Sequence, residues 1–474
     1  MNKISCLLFI FGLLSGCSVI PVPDLTRLYE THPLSNVQTE EANVAQPPVI
    51  LIHGVFGARL RDRKTEEEVW PGGIMSLLFS DYSNLALPID KQTLMPASSK
   101  FAAFAITDRA AGQDFYGAII RTLEKSGGYQ KGVPGQSVVS KQRQYYVFYY
   151  DWRQDNVQTA RKLDDLIKTI QQDYAKPEMK VDIVAHSMGG LITRYYLRYG
   201  RVDVLDDNEF PVNNYGAKQV RKVILLGTPN LGSVSGLKEF INGFKVGLGR
   251  IPTETLATMP SSYQLFPHPI RTTMVTMNGK KLDRDLFDIK IWRDFEFSIF
   301  DPDVRQNILD RYDDPVEGNA YLDLLERYFE KHLERGRRFV WSLTVPVEDS
   351  IVRYVIFGGD CELTPSRIVI EDVNGESIPR FHPDDIAHPV TDVDYQKLML
   401  EPGDGRVTKP SLFAREALDP SIPRHPYSFF PMDHSIMLCE SHDSLTGNVS
   451  FQNNLLNMLL TRDEPLDRKT INSK

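Results

Sequence analysis

The chain of 474 residues lacks several features that would each point to a class of protein. Outside its amino terminus it has no run of about 20 apolar residues, the length that a membrane-spanning helix needs. Its net charge is −8, and the lack of a basic excess argues against nucleic acid as a partner. A glycine-rich phosphate-binding loop is also missing, and nothing points to a cofactor. The length is ample for one large core, or for a core with inserted subdomains.

Cysteine is scarce, and one of the four cysteines lies in an informative place near the amino terminus. Lys3 precedes an apolar run over residues 4–14, which is too short to cross a bilayer but has the layout of a secretory signal. The segment Leu14-Ser15-Gly16-Cys17 resembles a bacterial lipoprotein processing site. That resemblance implies a mature chain that begins at an acylated Cys17 in the bacterial envelope, and Ser18 favours the outer membrane. The alternative is an ordinary cleaved signal with an incidental cysteine.

The most informative segment places a serine between an apolar run and a helical pattern. Residues 181–192 read Val-Asp-Ile-Val-Ala-His-Ser-Met-Gly-Gly-Leu-Ile. They predict a strand, a sharp turn and a helix, with Ser187 at the apex as the nucleophile elbow of an α/β-hydrolase. Ala185 stands where glycine is usual, and Gly189 is the second small residue of the turn. The turn would aim the backbone N–H of Met188 at a forming oxyanion, whereas the alternative is a buried serine at a strand–helix junction.

A second apolar strand ends in a His-Gly pair upstream, within residues 48–57. In α/β-hydrolases the loop after this early strand supplies the other oxyanion N–H, which Val55 or Phe56 would donate here. Gly54 would let the backbone pass close to the substrate carbonyl. We expect His53 to orient this loop rather than to act as a base. The alternative is an ordinary glycine at the end of a strand.

A catalytic triad of this type also needs an acid and then a histidine, in that order after the serine. Asp404 lies in the glycine-rich turn Gly403-Asp404-Gly405, which can project a carboxylate without steric cost. Asp404 is therefore the predicted acid, which would hold the histidine in one tautomer. One alternative is that Asp404 is an ordinary turn aspartate that accepts hydrogen bonds only from its own backbone. The other is that Asp360 is the catalytic acid.

Three histidines follow Asp404, and we predict that His434 is the catalytic base. His434 comes after an aromatic-rich loop and before an apolar run, where a histidine ahead of the last helix is expected. His425 lies between Pro423 and Pro426, which indicates a rigid loop. His442 lies in a polar stretch and is interpreted as a surface residue.

With these residues in view, the chain resembles the lecithin:cholesterol acyltransferase family, which contains lipid acyltransferases and phospholipases A. Short separated motifs carry the resemblance: residues 48–57, Tyr150-Asp151-Trp152-Arg153, residues 185–190, Leu226-Gly227-Thr228-Pro229, Met259-Pro260-Ser261-Ser262-Tyr263, residues 403–407 and His434. The resemblance implies Ser187, Asp404 and His434 as nucleophile, acid and base. The chain departs from animal members in two ways: the region just after the oxyanion loop has no cysteines, so a disulfide-tied lid like theirs is not possible, and residues 285–346 match no motif.

The predicted architecture is an α/β-hydrolase, a mostly parallel sheet with helices on both faces and with lid and cap insertions. Strands are predicted at 144–150 and 220–226, and helices at 157–174 and 449–460. The domain prediction assigns a signal peptide to residues 1–16, a tether to 17–46, the core to 47–235 and 347–474, a lid within 59–111 and a cap to 236–346. The apolar run at residues 74–79 is either a lipid-touching lid or a packed helix.

Two smaller features stay open at this stage. Cys361 and Cys439 each lie near a predicted catalytic loop, where a disulfide between them would pin the histidine loop, and the alternative is two free thiols. A cluster of acids and histidines over residues 382–394 fits no standard zinc or EF-hand spacing, so we interpret it as a solvated loop and expect no metal.

The leading hypothesis is a serine acyl hydrolase or acyltransferase that acts on lipid esters through an acyl-enzyme. Its partners would be lipid substrates and a membrane that holds the lipidated amino terminus. The alternative is a catalytically idle hydrolase fold that serves as an envelope scaffold or binding lipoprotein. Neither the acyl acceptor nor the oligomeric state follows from the sequence.

Overall fold

A computed structural model describes residues 47–460 except 74, 75, 77, 79, 111, 112, 139–141, 348–351 and 420. The predicted signal peptide, the tether and Cys17 lie outside the described residues, as does most of the apolar run at 74–79. Among the helices that are described, none combines the length and the apolarity needed to cross a bilayer. The division into core, lid and cap stays a prediction.

Short strands and helices alternate along the chain. The described strands are β1 (Val49–Ile52), β2 (Ala58–Asp62), β3 (Glu68–Trp70), β4 (Phe101–Ile106), β5 (Arg109–Ala110), β6 (Gln113–Asp114), β7 (Gln130–Lys131), β8 (Gln144–Phe148), β9 (Val181–His186), β10 (Val220–Leu226), β11 (Phe244–Val246), β12 (Gly249–Ile251), β13 (Met274–Thr276), β14 (Arg353–Gly359), β15 (Glu362–Pro365), β16 (Ile368–Val373), β17 (Glu376–Arg380), β18 (Leu400–Gly403) and β19 (His434–Leu438). The described α-helices are α1 (Gly117–Arg121), α2 (Asn156–Asp173), α3 (Met188–Tyr199), α4 (Val234–Asn242), α5 (Thr253–Leu256), α6 (Pro260–Tyr263), α7 (Ile289–Asp294), α8 (Pro302–Leu309), α9 (Pro315–Ser342), α10 (Tyr395–Met399), α11 (Lys409–Leu412) and α12 (Val449–Leu460).

A seven-stranded sheet in the order β19-β14-β10-β9-β1-β8-β7 forms the centre of the fold. Every neighbouring pair in it is parallel, which confirms the predicted parallel sheet. The predicted strand at 220–226 and the predicted final helix at 449–460 are β10 and α12 with the same bounds. Continuous apolar runs such as that of β1 are typical of strands whose two faces are both covered.

Helices cover both faces of the sheet. Ile50 and Ile52 of β1 point into the larger hydrophobic cluster, to which α2 and α3 contribute. Val49 and Leu51 of the same strand point into a second cluster, to which α12 contributes. Successive side chains of the strand point to opposite faces of the sheet, so β1 contributes to two separate cores.

Two of the motifs that carry the family resemblance contact each other beside this sheet. Asp151 and Arg153 form a buried ion pair at 2.7 Å, and Arg153 also donates to the carbonyl of Leu85 at 2.9 Å. The indole of Trp152 donates to the carbonyl of Ala58 at 3.1 Å, and the hydroxyl of Ser261 donates to the carbonyl of Trp152 at 2.6 Å. The Tyr-Asp-Trp-Arg motif therefore holds the segment that follows β1, and its role in the described structure is to position that segment.

Smaller sheets lie outside the central one: β3-β2-β4, β5-β6, β11-β12, β13-β16-β17 and β15-β18. The carboxyl ends of β1, β9 and β14 lie at one edge of the central sheet because these strands run parallel. In open α/β sheets this edge is where ligands bind. The segments that follow β18 and β19 join the same region, as the contacts below show.

Candidate active site

Ser187 occupies the tight turn between β9 and α3, as predicted. Its backbone has φ 53° and ψ −123°, a conformation that residues with a side chain rarely adopt. The turn needs small neighbours, because a side chain at Gly189 would lie 2.5 Å from the carbonyl oxygen of His53. Gly54 is constrained in the same way, since a side chain there would lie 2.8 Å from the Cβ of Ser187. The two strand ends therefore approach closely, with Ser187 at the apex of the turn, where it is 7% exposed and lines a cavity.

The three predicted oxyanion residues surround this turn. Met188 is the first residue of α3, so its N–H belongs to the helix terminus whose amides have no partner within the helix. Val55 and Phe56 line the same cavity as Ser187, and Phe56 has a positive φ of 62°. The carbonyl of Phe56 accepts a hydrogen bond from the indole of Trp70 at 3.0 Å, which holds this loop in place.

Asp404 lies in the turn after β18 and is only 2% exposed. One carboxylate oxygen accepts the N–H groups of Arg406 at 3.0 Å and of Val407 at 2.7 Å. The other oxygen is 2.9 Å from Nδ1 of His442. Burial raises the pKa of Asp404, but His442 and the two backbone N–H groups outweigh it and hold the pKa below its usual value. Asp404 is thus an ionised acceptor, the state that an orienting acid requires.

His442 is the histidine that the structure brings to this acid. It lies just beyond β19 and lines the cavity together with Ser187. Its backbone N–H donates to the carbonyl of Asp404 at 2.8 Å, so the main chain and the ring are both tied to the acid. Burial lowers the pKa of His442, but the Asp404 carboxylate raises it by more, so the pKa lies above its usual value of 6.5.

The structure does not place His434, the predicted base, beside Asp404 or Ser187, because His434 lies at the opposite, amino end of β19. His434 is the first residue of β19 and pairs with Val355, whereas the last residue, Leu438, pairs with Gly359 at the carboxyl end of β14. At about 3.3 Å per residue, the strand separates His434 from the site edge by about 13 Å. His434 is also exposed. The apolar run after His434 belongs to β19, and the histidine that reaches the carboxyl end of the sheet, His442, follows that run.

Two residues that the sequence reasoning missed connect the strand ends. The hydroxyl of Tyr116 accepts the N–H of Gly54 at 2.9 Å and lies 2.8 Å from Nδ1 of His186. Nε2 of His186 is 3.3 Å from the carbonyl of His442, and a carbonyl oxygen can only accept, so this contact assigns the hydrogen of the neutral ring to Nε2. Nδ1 is then the acceptor, and the Tyr116 hydroxyl donates to it. This chain of contacts links the loop after β1, the end of β9 and the segment that carries His442.

His186 and His53 are both neutral in this environment. Burial lowers the pKa of His186 to about 3, with a further lowering by His442. Burial lowers the pKa of His53 to about 4. The His53 ring stacks on Tyr150 at 3.9 Å, and the Tyr150 hydroxyl donates to the His53 carbonyl at 2.7 Å. His53 therefore packs under the oxyanion loop, away from the cavity that Ser187 lines.

The cavity in front of Ser187 has a volume of about 380 Å³. Its larger part is apolar and aromatic, lined by Phe56, Trp70, Phe240, Phe244, Leu256 and Leu265. A charged pair also lines the cavity: Arg406 binds both carboxylate oxygens of Glu239 at 2.8 and 3.1 Å, and its guanidinium lies 5.6 Å from the centre of the Phe244 ring. Burial raises the pKa of Glu239 although Arg406 opposes it. The cavity can thus hold an apolar chain beside a polar group.

A disulfide between Cys361 and Cys439 resolves the pairing that the sequence left open. Cys361 follows β14 and Cys439 follows β19, so the bond joins the carboxyl ends of two adjacent strands. Asp404 packs against Gly359 on one side of the bond, and His442 follows three residues after Cys439. The disulfide therefore constrains the loop that carries the histidine.

Two histidines of the acidic cluster at 382–394 take part in local hydrogen bonds. The ring of His382 caps a short turn by accepting the N–H of Asp384 at 3.2 Å, and the N–H of His388 donates to Glu371 at 2.6 Å. Within the described part of the chain, no group of three or more histidine, cysteine or acidic residues is arranged to hold a metal ion.

Comparison with known proteins agrees with this architecture. Residues 128–314 match the model of the lecithin:cholesterol acyltransferase family, which confirms the resemblance over a stretch that contains Ser187. No curated protein matches the chain at a significant level. Among solved structures, a chain of the Tle4–Tli4 complex is 15% identical with a TM-score of 0.51, and the match covers 88% of this chain and 99% of that one.

Two further solved structures are more distant. EstA from Clostridium botulinum is 12% identical with a TM-score of 0.31, and the match covers 93% of this chain and 98% of that one. The lipase of Staphylococcus hyicus is 12% identical with a TM-score of 0.31, and the match covers 87% of this chain and 95% of that one. The chain has the α/β-hydrolase fold, and the family match supports a lipid ester hydrolase or acyltransferase in general terms.

Proposed function

We propose that this protein transfers acyl groups from lipid esters through a covalent intermediate on Ser187, with His442 as base and Asp404 as the acid that orients it. The observation that carries the proposal is the 2.9 Å contact between Asp404 and His442, at a cavity that the strained Ser187 also lines. Nucleophile, base and orienting acid in such proximity are the parts that acyl transfer requires. Their chain order, serine, acid and histidine, is that of α/β-hydrolases.

In the proposed reaction, the Ser187 hydroxyl attacks the ester carbonyl while Nε2 of His442 accepts its proton. The negative charge that forms on the carbonyl oxygen is held by the N–H of Met188 and by that of Val55 or Phe56. His442 then gives its proton to the departing alcohol, and the acyl group stays on Ser187. A second alcohol or a water molecule, deprotonated by His442, attacks the acyl-enzyme and frees the serine.

The aromatic part of the cavity favours an acyl chain as the group that Ser187 receives. Transfer of an acyl chain from water to a pocket of aromatic and aliphatic side chains is favourable because it removes apolar surface from water. The Arg406–Glu239 pair lines the same cavity and suits the polar part of the ester. Whether water or an alcohol takes the acyl group depends on how completely water is excluded, so hydrolysis and transfer are both compatible with this cavity.

The experiment that tests the proposal combines an active-serine probe with product analysis. A fluorophosphonate should label the wild-type protein, and Ser187→Ala should abolish labelling while the protein keeps its fold. Purified protein is then incubated with phospholipid, with and without a long-chain alcohol, to separate fatty acid from ester product. A folded wild-type protein that neither labels nor turns over any ester would instead favour the idle scaffold.

We further propose that the protein is a lipoprotein of the bacterial envelope, attached through acyl chains on Cys17. The support is the sequence Leu14-Ser15-Gly16-Cys17 after a short apolar run. Two or more acyl chains give stable attachment, whereas a single chain is marginal. Mass spectrometry of the mature amino-terminal peptide tests the attachment, and Cys17→Ala should prevent the modification. An unmodified mature end at another residue would contradict it.

A further inference from the structure

A small hairpin beside the cavity presents an apolar residue to solvent. Strands β11 and β12 pair in antiparallel fashion and are joined by Gly247 and Leu248. Gly247 has φ 59°, the conformation that glycine supplies at the first position of a tight hairpin turn. Leu248 follows it at the tip with 81% of its surface exposed. Single exposed leucines are common, so the position of this one decides its meaning.

The hairpin forms part of the rim of the cavity in front of Ser187. At its base, Phe244 stacks on Phe56 with ring centres 4.3 Å apart, and both rings line the cavity. On its outer strand, a side chain at Gly249 would lie 2.3 Å from the carbonyl oxygen of Ser80. The base is thus anchored on the oxyanion loop and the strand contacts the neighbouring segment, while the tip projects beyond the rim.

The charges on the hairpin are arranged in an unfavourable way for the isolated protein. Lys245 and Arg250 face each other directly across the two strands, on one face, and both are exposed. Like charges in such a cross-strand pair are destabilising. Arg250 donates to the carbonyl of Asn242 at 2.9 Å, but within the described residues neither cation forms an ion pair with a carboxylate. An external anion bound beside these two cations would relieve their repulsion, although the chain as a whole has a net charge of −8.

We propose that this hairpin docks the active-site mouth onto a lipid surface that carries anionic headgroups, a proposal that rests on the proposed function for its substrate. Leu248 enters the acyl region of the surface, and Lys245 and Arg250 contact the anionic groups at its boundary. An apolar tip flanked by cations is the combination that lies favourably at a membrane interface. Docking in this way turns the rim toward the lipid layer, so that an ester can enter the cavity without crossing water.

Two substitutions on the hairpin separate the apolar and the charged contributions. Leu248→Ser removes the apolar tip, and Arg250→Gln removes one cation; neither residue lines the cavity. Val316→Ser is the matched control, because Val316 is 74% exposed at the start of α9. Each variant is made in the full chain carrying Cys17→Ala, so that acyl chains at the amino terminus do not mask the hairpin.

Binding is measured by flotation with vesicles of phosphatidylcholine alone and of phosphatidylcholine mixed with phosphatidylglycerol. We expect the parent chain to bind the mixed vesicles more tightly. Leu248→Ser should weaken binding to both by about tenfold or more. Arg250→Gln should weaken binding only to the mixed vesicles, by about fivefold. Val316→Ser should bind like the parent, and all variants should hydrolyse a soluble short-chain ester at the parent rate.

Two results would overturn the proposal: Leu248→Ser binding as tightly as the parent, or equal binding of the parent to both kinds of vesicle. Flotation does not depend on turnover, which keeps this test distinct from that of the proposed function. If the parent chain binds vesicles in a way that depends on Leu248 and Arg250 but hydrolyses no ester, the docking surface stands and the proposed activity is refuted. If the chain hydrolyses a soluble ester but does not bind vesicles, the activity stands and the docking surface is refuted.

Discussion

The assignment of His442 as the base makes a sharp prediction for the substitution His442→Asn. Nδ1 of His442 lies 2.9 Å from Oδ2 of Asp404, and the amide N–H of an asparagine can replace the Nδ1–H donor, so the buried carboxylate stays bonded. It has no counterpart of Nε2, the atom that accepts the proton of Ser187. His442→Asn therefore removes the base with little change in the surroundings of Asp404, whereas alanine would leave a buried charge without its partner.

We expect kcat to fall by about 10⁴- to 10⁶-fold, which corresponds to about 5 to 8 kcal/mol of lost transition-state stabilisation. The thermal transition should change little, because Asp404 keeps its bonds to Arg406 and Val407 as well. His434→Ala is the matched control, since that side chain is exposed at the far end of β19. It should retain the wild-type kcat and stability.

The pH dependence of the wild-type protein adds a second measurement. A general base must be unprotonated, so kcat/KM should rise with pH through the pKa of His442 in the free enzyme. Because that pKa is raised above 6.5, activity should be low in acid and reach its plateau only above neutral pH. The reasoning is refuted if His442→Asn retains substantial ester turnover, or if His434→Ala loses it.

Three further predictions follow from the contacts around the site. Asp404→Asn should lower kcat by about 10⁴-fold in a steady-state ester assay. Asp360→Asn should have little effect, since Asp360 is ion-paired with Lys409 at 2.7 Å. The reverse ranking would show that Asp360, not Asp404, is the catalytic acid. Tyr116→Phe leaves the Gly54 N–H without its acceptor, so it should reduce the free energy of unfolding by about 1–3 kcal/mol in urea titration and lower kcat by about tenfold; an unchanged kcat would remove Tyr116 from the positioning network. Replacing both disulfide cysteines by serine should cost about 2–4 kcal/mol in the same titration, and an unchanged midpoint would show that the bond does not form in solution.

The parts of the fold that local pattern determines were predicted well. The apolar run at 220–226 and the amphipathic segment at 449–460 match β10 and α12 in both bounds, and α2 begins and ends one residue before its predicted range. The elbow at Ser187 was equally clear, because a strand, small turn residues and a helix occur next to one another in the sequence. Each of these features depends on residues within about one element of chain, where periodicity is informative.

Among the three histidines, the sequence favoured His434 over the one that contacts Asp404, because the apolar run after His434 was not assigned to an element. Ile436, Met437 and Leu438 form a short apolar run that suits a strand or the first turn of a helix, and length alone could not separate the two. Had the run been assigned to a strand, the site residue would have been expected after it, at the carboxyl edge where Ser187 lies. His442, four residues beyond Leu438, then becomes the natural base. A polar neighbourhood indicated exposure, yet the histidine is 6% exposed.

The network through Tyr116 shows why the remainder of the site lay beyond sequence reasoning. Tyr116 is 62 residues from Gly54 and 70 from His186, and His186 is 256 residues from His442. No local pattern marks these residues, since a tyrosine before a short helix and a histidine at the end of a strand are both ordinary. They meet only because the parallel sheet brings the ends of β1, β9 and β19 to one edge. Local pattern located the turn at Ser187, but the position of the neutral His186 beside His442 depends on contacts that only the folded sheet creates.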